Sequence, residues 1–203
     1  MQAIIVDYGM GNVASVQKAL NFLNLKSIIT NDHHIITEAN YIVLPGVGSF
    51  KQGMANLKEH KLDELLTKLV INEKKNFLGI CLGMQLIAEF GNEPEKCEGL
   101  GWIKGEVKKI ESRHLRIPHM GWNDIEIKNE TYFNGIISND FYFIHSYHFE
   151  VANINDVSSY VNYGDKLVSS IQHQNIFATQ FHPEKSQDSG LQLLRNYFSN
   201  VKG

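Results

Sequence analysis

Phe77-Leu78-Gly79-Ile80-Cys81-Leu82-Gly83-Met84-Gln85 is the stretch from which the rest of the chain is read. It opens apolar, as the end of a buried strand does. It then sets Cys81 between Gly79 and Gly83 and passes into Met84-Gln85-Leu86-Ile87-Ala88, a good helix opening. A nucleophile-type residue between two such glycines is the elbow pattern, here with cysteine in the serine place. The turn strains the central backbone, and flanking side chains larger than hydrogen would collide with the neighbouring strand and helix. It also aims the sulfur at the start of a helix, where positive partial charge gathers. From these residues alone, a buried structural cysteine in an ordinary βα turn is an equal reading.

The composition narrows the setting. With 203 residues, 43% hydrophobic and 20% charged, the chain suits one α/β domain, residues 1–203, with a full-sized core. A net charge of -3 makes no electrostatic case for nucleic acid or an anionic membrane. No apolar run approaches the roughly 20 residues that span a bilayer. Met1–Asp7 reads as a first strand, not as a signal peptide. The only cysteines are Cys81 and Cys97, with no CxxC, and the nine histidines include no HExxH. Neither a metal nor another cofactor is expected, and the location expected is the reducing cytoplasm.

Taken in order, Ala3–Val6 is a short strand ended by Asp7-Tyr8-Gly9-Met10-Gly11-Asn12, after which Val13, Val16, Leu20 and Leu23 recur at helical spacing. The turn lacks the third glycine of a dinucleotide fingerprint and has no convincing ribose-binding acid after it, so it leaves Asp7 and Asn12 as loop residues able to face a partner. Strands follow at Ser27–Thr30 and Tyr41–Leu44. The second of these runs into Pro45-Gly46-Val47-Gly48-Ser49-Phe50, bare backbone at the carboxyl end of a strand, where open α/β sheets place ligands. As an isolated turn it reads as a plain βα loop. Met54 to Val70 is helical. From Trp102 the pattern turns to alternating strands: Gly105–Ile110, Asp124–Ile127, Phe141–Phe149 and a hairpin of Val168–Gln172 with Ile176–Phe181. Arg116–Asn123 reads as an exposed loop, and Leu191–Phe198 as a closing helix. The fold expected is α/β: an open, mostly parallel central sheet flanked by helices, with an antiparallel extension in the C-terminal half.

A cysteine becomes a nucleophile when a base takes its proton and a third group orients that base. His182-Pro183-Glu184 follows a strand end, where positions i and i+2 project to one side, so Glu184 can support His182. By itself His182 reads equally as a capping or core histidine. Together with the elbow it makes Cys81, His182 and Glu184 a candidate triad. The Leu82 N–H is one oxyanion donor, and a second is expected from Val47 or Gly48.

At this point GICLGMQ, LPGVGSF, FHPEKS and DYGMGN together resemble the class I (triad) glutamine amidotransferases. PHMGWN and FYFIHSY look like the branch that serves as glutaminase subunit of imidazole glycerol phosphate synthase. The resemblance runs from Asp7 to Ser186. It implies that Cys81 forms a thioester with L-glutamine and that ammonia passes to a separate (βα)8-barrel cyclase subunit of a heterodimer. It further implies that Gly48 and Gln85 line the glutamine pocket, that backbone around His145, Ser146 and Tyr147 grips the amino-acid head, and that Glu93 meets the ammonium. Asn12, Pro118, Met120 and Trp122 are implied to face the partner, although Met120 and Trp122 also read as ordinary core residues. His148 and the polar segment 153–165 depart from the pattern. A paralogue feeding ammonia to a surface-sugar amidotransferase, a free-standing cysteine hydrolase and a non-catalytic binding module remain as other readings. An intact His182 and Glu184 speak against the last.

Overall fold

The computed structural model describes residues 2–111 and 114–200, so the two ends of the 1–203 span and residues 112–113 lie outside it. The chain opens with β1 (Ala3–Val6), α1 (Val13–Phe22), β2 (Ser27–Thr30), α2 (His33–Thr37) and β3 (Tyr41–Gly46). It continues through α3 (Phe50–Glu59), α4 (Leu62–Thr67), β4 (Asn76–Cys81), α5 (Leu82–Gln85), β5 (Ala88–Asn92), β6 (Lys96–Glu98) and β7 (Ile103–Lys109). The second half holds β8 (His119–Ile127), β9 (Asp140–His145), β10 (Tyr147–Val151), β11 (Val157–Tyr163), β12 (Asp165–His173), β13 (Ile176–Thr179) and α6 (Gln187–Asn200).

Nine strands form one sheet in the order β2-β1-β3-β4-β13-β12-β11-β8-β9. The first five run parallel, and the rest pair antiparallel. A second sheet has the order β10-β7-β5-β6. The inner parallel strands β1, β3, β4 and β13 are buried on both faces, which is why β1 and β4 read as unbroken apolar runs. One core holds Val16, Leu20, Leu193, Leu194 and Tyr197 from α1 and α6. The other takes Met54, Leu57, Leu62 and Leu66 from α3 and α4 and continues to the second sheet through Ile103, Val107 and Phe149.

Four elements differ from expectation, each for a local reason. The helix expected to continue to Ala88 stops at Gln85. The carbonyls of Leu86, Ile87 and Ala88 are taken instead by the N–H groups of Leu100, Trp102 and Gly101, so cross-chain pairing overrides helix propensity. Phe141–Phe149 is not one strand: it breaks at Ser146, and its halves join different sheets. His119–Asn123, expected in a loop, is the start of β8 and pairs with β9, His119 opposite His145. The polar segment at 153–165 contains β11, which buries Val157 and Val161 in the two cores together with the small Ser158 and Ser159.

The glycines of the elbow are fixed by space. A Cβ on Gly83 would stand 1.8 Å from the Leu44 carbonyl oxygen, and one on Gly79 would stand 2.8 Å from the Gly83 carbonyl oxygen. Gly101, by contrast, has nothing within 4 Å, although its φ is +68°. Gly83→Ala is therefore expected to cost about 4 kcal/mol or more, a drop in Tm of roughly 8–16 °C at this chain length. Gly101→Ala should cost only about 1–2 kcal/mol. Thermal unfolding of the two variants side by side checks the contrast.

Candidate active site

Three neighbouring parallel strands finish together. Gly46 at the end of β3 lies in register with Cys81 at the end of β4, and Thr179 of β13 lies beside Ile80. The residues just past these ends, Val47 to Ser49, Leu82, and Gln180 to Glu184, thereby meet above one edge of the sheet, where open α/β sheets carry their sites. Cys81 itself takes the strain: its φ is 54° and its ψ is -106°, a region that costs a non-glycine residue roughly 1–3 kcal/mol.

The Cys81 side chain is buried. Its Sγ lies 3.8 Å from the Ile144 carbonyl oxygen, to which a thiol can donate, and accepts from Gln180 Nε2 at 3.6 Å. His182 Nδ1 and Glu184 Oε1 are 2.8 Å apart, with both side chains almost wholly buried. The two come together through a one-turn 3-10 helix over Pro183–Lys185 rather than by alternation along a strand. The Ser186 hydroxyl donates to the His182 carbonyl, and the Tyr142 carbonyl accepts from the His182 N–H, so the backbone is held from both sides. With Nδ1 taken, Nε2 is the nitrogen left for Cys81, and it meets no hydrogen-bond partner at ordinary geometry among the described residues.

Electrostatics still link the pair. Burial disfavours the His182 charge, but the Cys81 sulfur and then the Glu184 carboxylate more than offset this and push its pKa up to about 10. The imidazole therefore holds its proton through the neutral range. Beneath the elbow, Tyr8 is fully buried and its hydroxyl has no hydrogen-bond partner among the described residues. Burial first, and the charge of Cys81 second, raise its pKa, so it stays a neutral phenol.

A pocket of about 370 Å³ opens over the sulfur. Its walls include Val47, Gly48, Cys81, Leu82, Gln85, Glu93, Pro118, His145, Ser146 and Tyr147, which unites the residues expected at the oxyanion and glutamine positions. Some of these spend their polar atoms inside the protein. Gln85 Nε2 donates to the Tyr147 carbonyl and to Gln180 Oε1, both at 2.9 Å. The Ser146 carbonyl accepts from the Ile110 N–H. Glu93 accepts from the Phe50 N–H at 3.1 Å; burial raises its pKa and that bond lowers it. Gly48, at φ +105°, needs the freedom of glycine, and Ser49 then caps α3 by accepting from the Gln52 N–H.

The residues expected at a partner surface divide. Met120 and Trp122 are 58% and 47% exposed and point outward from β8, and Pro118 is exposed at the pocket mouth. Asn12 is also exposed, with its side-chain oxygen accepting from the Ser15 N–H as the cap of α1. Gln180 and Tyr8 were not expected at the site. The signal for Gln180 was present: a glutamine inside Ile-Phe-Ala-Thr-Gln-Phe has to be paired when buried. Among the described residues no group of three or more His, Cys, Asp or Glu side chains is arranged to hold a metal, and no helix is long and apolar enough to cross a membrane.

The sequence pattern of the family Glutamine amidotransferase class-I matches residues 4–201. The chain is 48% identical over 196 residues to imidazole glycerol phosphate synthase subunit HisH 1 of Campylobacter jejuni, covering 95% of this chain and 97% of that one. It is 43% identical to subunit HisH of Aquifex aeolicus, over 97% and 96% of the two chains. Among solved structures, a glutamine amidotransferase superposes with a TM-score of 0.75 at 19% identity, covering 96% of this chain and 98% of that one. PurLQS from Thermotoga maritima does so with a TM-score of 0.75 at 18% identity, covering 99% of each. At such identities the two structures speak for the fold alone.

The raised value for His182 has a definite sign in stability. Unfolded, the group titrates near its ordinary 6.5, so between that pH and about 10 only the folded chain keeps the proton. The contribution is complete below about 6.5 and is lost as pH rises through about 10. In Glu184→Gln the His182 pKa should fall by about one unit or more, and stability between pH 7 and 10 should depend less steeply on pH. Imidazole NMR titration with denaturant unfolding at several pH values measures both; an unchanged His182 pKa would remove Glu184 from this role.

Proposed function

The chain belongs to the class I glutamine amidotransferases, and from that premise we propose that it is the glutaminase subunit of an imidazole glycerol phosphate synthase, acting in histidine biosynthesis. We read residues 1–203 as one catalytic domain, with Cys81, His182 and Glu184 as the triad. The observation that carries this is a strained, buried cysteine lining a pocket of about 370 Å³, its sulfur charge-coupled to a proton-holding histidine behind it.

In this reading the amino-acid head of glutamine lies against Ser146 and Tyr147, with Glu93 toward its ammonium, and the side-chain carboxamide reaches Cys81. Sγ attacks the carboxamide carbon while the thiol proton resides on His182 Nε2. The carbonyl oxygen becomes an oxyanion that accepts from the Leu82 N–H and from the N–H of Val47 or Gly48, each such donor contributing about 3 kcal/mol. On collapse the C–N bond breaks and His182 gives its proton to the departing nitrogen, releasing ammonia and leaving the thioester. A water molecule, deprotonated by His182, then attacks the thioester. Glutamate leaves, and the thiol proton returns. Glu184 keeps the imidazole in one orientation throughout.

We further propose that the ammonia passes to a (βα)8-barrel cyclase subunit docked over Asn12, Pro118, Met120 and Trp122. There it is used to make imidazole glycerol phosphate and an aminoimidazole carboxamide ribonucleotide. Exposed Met120 and Trp122 suit such a surface because adaptable and aromatic side chains supply most of the desolvated contact at an interface. A reducing cytoplasm would keep Cys81 free.

Cys81→Ala should keep the fold and lower glutamine hydrolysis by about 10⁴-fold or more, while added ammonium salt still supports synthesis by the partner. Wild-type hydrolysis should rise sharply when cyclase and its nucleotide ligand are both present. Glutamine turnover retained by the variant would sink the triad assignment. A wild-type rate indifferent to the cyclase would favour a free-standing hydrolase.

A further inference from the structure

Behind the pocket wall runs a chain of buried hydrogen bonds whose direction can be worked out atom by atom. His145 Nδ1 lies 2.8 Å from the Tyr147 carbonyl, which can only accept, so Nδ1 carries the hydrogen. His145 Nε2, in a neutral ring, is then an acceptor, and His119 Nδ1 at 3.0 Å is its donor. His119 Nε2 is in turn an acceptor, facing Asn123 Nδ2 at 3.3 Å. That amide nitrogen also donates to the Asn162 carbonyl at 3.2 Å, which fixes which way the Asn123 amide is turned. Every link points the same way, and a proton added to either ring would set two N–H groups against each other. Burial agrees, lowering the pKa of His145 to about 3 and that of His119 to about 4. His119 is held flat by rings at 3.9 Å (Tyr163) and 4.7 Å (Phe143).

The two ends of this chain give it meaning. His119 and Asn123 lie on the inward side of β8, and the residues between them that point outward are the exposed Met120 and Trp122. At the other end, the Tyr147 carbonyl also accepts from Gln85 Nε2, so both its lone pairs are engaged. Gln85 continues through Gln180 to the Cys81 sulfur. The Ser146–Tyr147 segment is the break between two sheets; the Ile110 N–H holds the Ser146 carbonyl, and the Tyr147 carbonyl is held by the side chains of His145 and Gln85.

We propose that Asn123, His119 and His145 form a one-way hydrogen-bond relay that positions the Ser146–Tyr147 segment for the head of glutamine and ties it to the outward Met120–Trp122 strand. These are positioning residues, since they act through the Tyr147 peptide, and the inference rests on the glutaminase reading above. Two consequences separate the relay from ordinary core packing. Both rings must be neutral with the hydrogen on Nδ1, a tautomer that packing alone does not select. Losing the His119 donor must weaken glutamine binding more than it slows chemistry at Cys81.

The test uses the chain together with its cyclase partner. In wild type, ¹⁵N imidazole shifts at neutral pH should show the neutral Nδ1–H form for His119 and His145; imidazolium or Nε2–H at either overturns the relay without any variant. His119→Phe keeps the stacking on Phe143 and Tyr163 but has no donor, and should raise KM for L-glutamine about tenfold with kcat changed less than about threefold. His119→Asn, whose amide nitrogen can take the place of Nδ1, should recover most of the KM. Unchanged KM in an active, folded His119→Phe enzyme, or an equal loss in both variants, overturns the relay alone. A wild-type complex that does not hydrolyse glutamine overturns the functional reading and the relay with it.

Discussion

The close passage of the elbow against the neighbouring strand is the constraint on which the site depends. Gly83 lies so near the Leu44 carbonyl that no side chain fits between them, and this draws the end of β4 onto the end of β3. Cys81 has to turn within that space, and it does so at φ 54°, where only the surrounding structure can hold a residue with a Cβ. The same crowding continues at Gly46, where a Cβ would stand 2.2 Å from the Tyr8 hydroxyl and 2.8 Å from Leu82 Cβ. The Pro45–Gly48 turn is thus wedged between the elbow and a buried phenol, so its backbone is brought beside the sulfur by sterics before any hydrogen bond is counted.

Charge is then placed where packing has excluded water. His182 and Glu184 are both almost wholly buried, and leaving a buried polar atom unpaired costs about 1–3 kcal/mol. His182 Nε2 and Glu184 Oε2 are two such atoms. Against apolar residues of the same volume, an ion pair in this setting gives little advantage in stability, because desolvation offsets much of the attraction. What it gives is a proton held on one nitrogen, next to a sulfur whose other neighbours are the Gln180 amide and the Ile144 carbonyl. A core built for stability alone would satisfy these atoms or replace them with apolar ones.

Much of this was readable in the sequence, and what was missed shares one cause. The strands up to β4, α1 and the β12–β13 hairpin follow from local periodicity, and the elbow and His-Pro-Glu follow from short motifs at strand ends. The same local reasoning failed where a long-range partner decides. Leu86–Ala88 has helix-forming residues but pairs with the 100–102 segment, and Phe141–Phe149 alternates without a break although Ser146 divides it between two sheets. His182 and Glu184 were joined by the right residues through the wrong geometry, a 3-10 turn in place of strand alternation. Gln180 and His119 were unread because a buried polar residue has meaning only once its partner is known, and theirs lie 99 and 26 residues away.

The division of the sheet into a parallel and an antiparallel half follows from the same need. In the proposed triad, a base for Cys81 at the carboxyl end of β4 has to come from the carboxyl end of an adjacent strand, and β3 already occupies one side. The other side is filled by β13, from nearly the end of the chain, and a short connection can deliver it parallel to β4 only if the preceding strand, β12, runs the opposite way. The antiparallel half thereby turns the chain around so that His182 arrives beside Cys81. It also carries β9, whose Tyr142 and Ile144 carbonyls meet the His182 backbone and the Cys81 sulfur, and beyond it β8 with its exposed Met120 and Trp122. The exposed face of β8, the pocket wall at His145 and the Cys81 sulfur therefore follow one another in successive strand-to-strand steps. The Tyr142 and Ile144 carbonyls, on the strand paired with β8, thereby touch both His182 and Cys81.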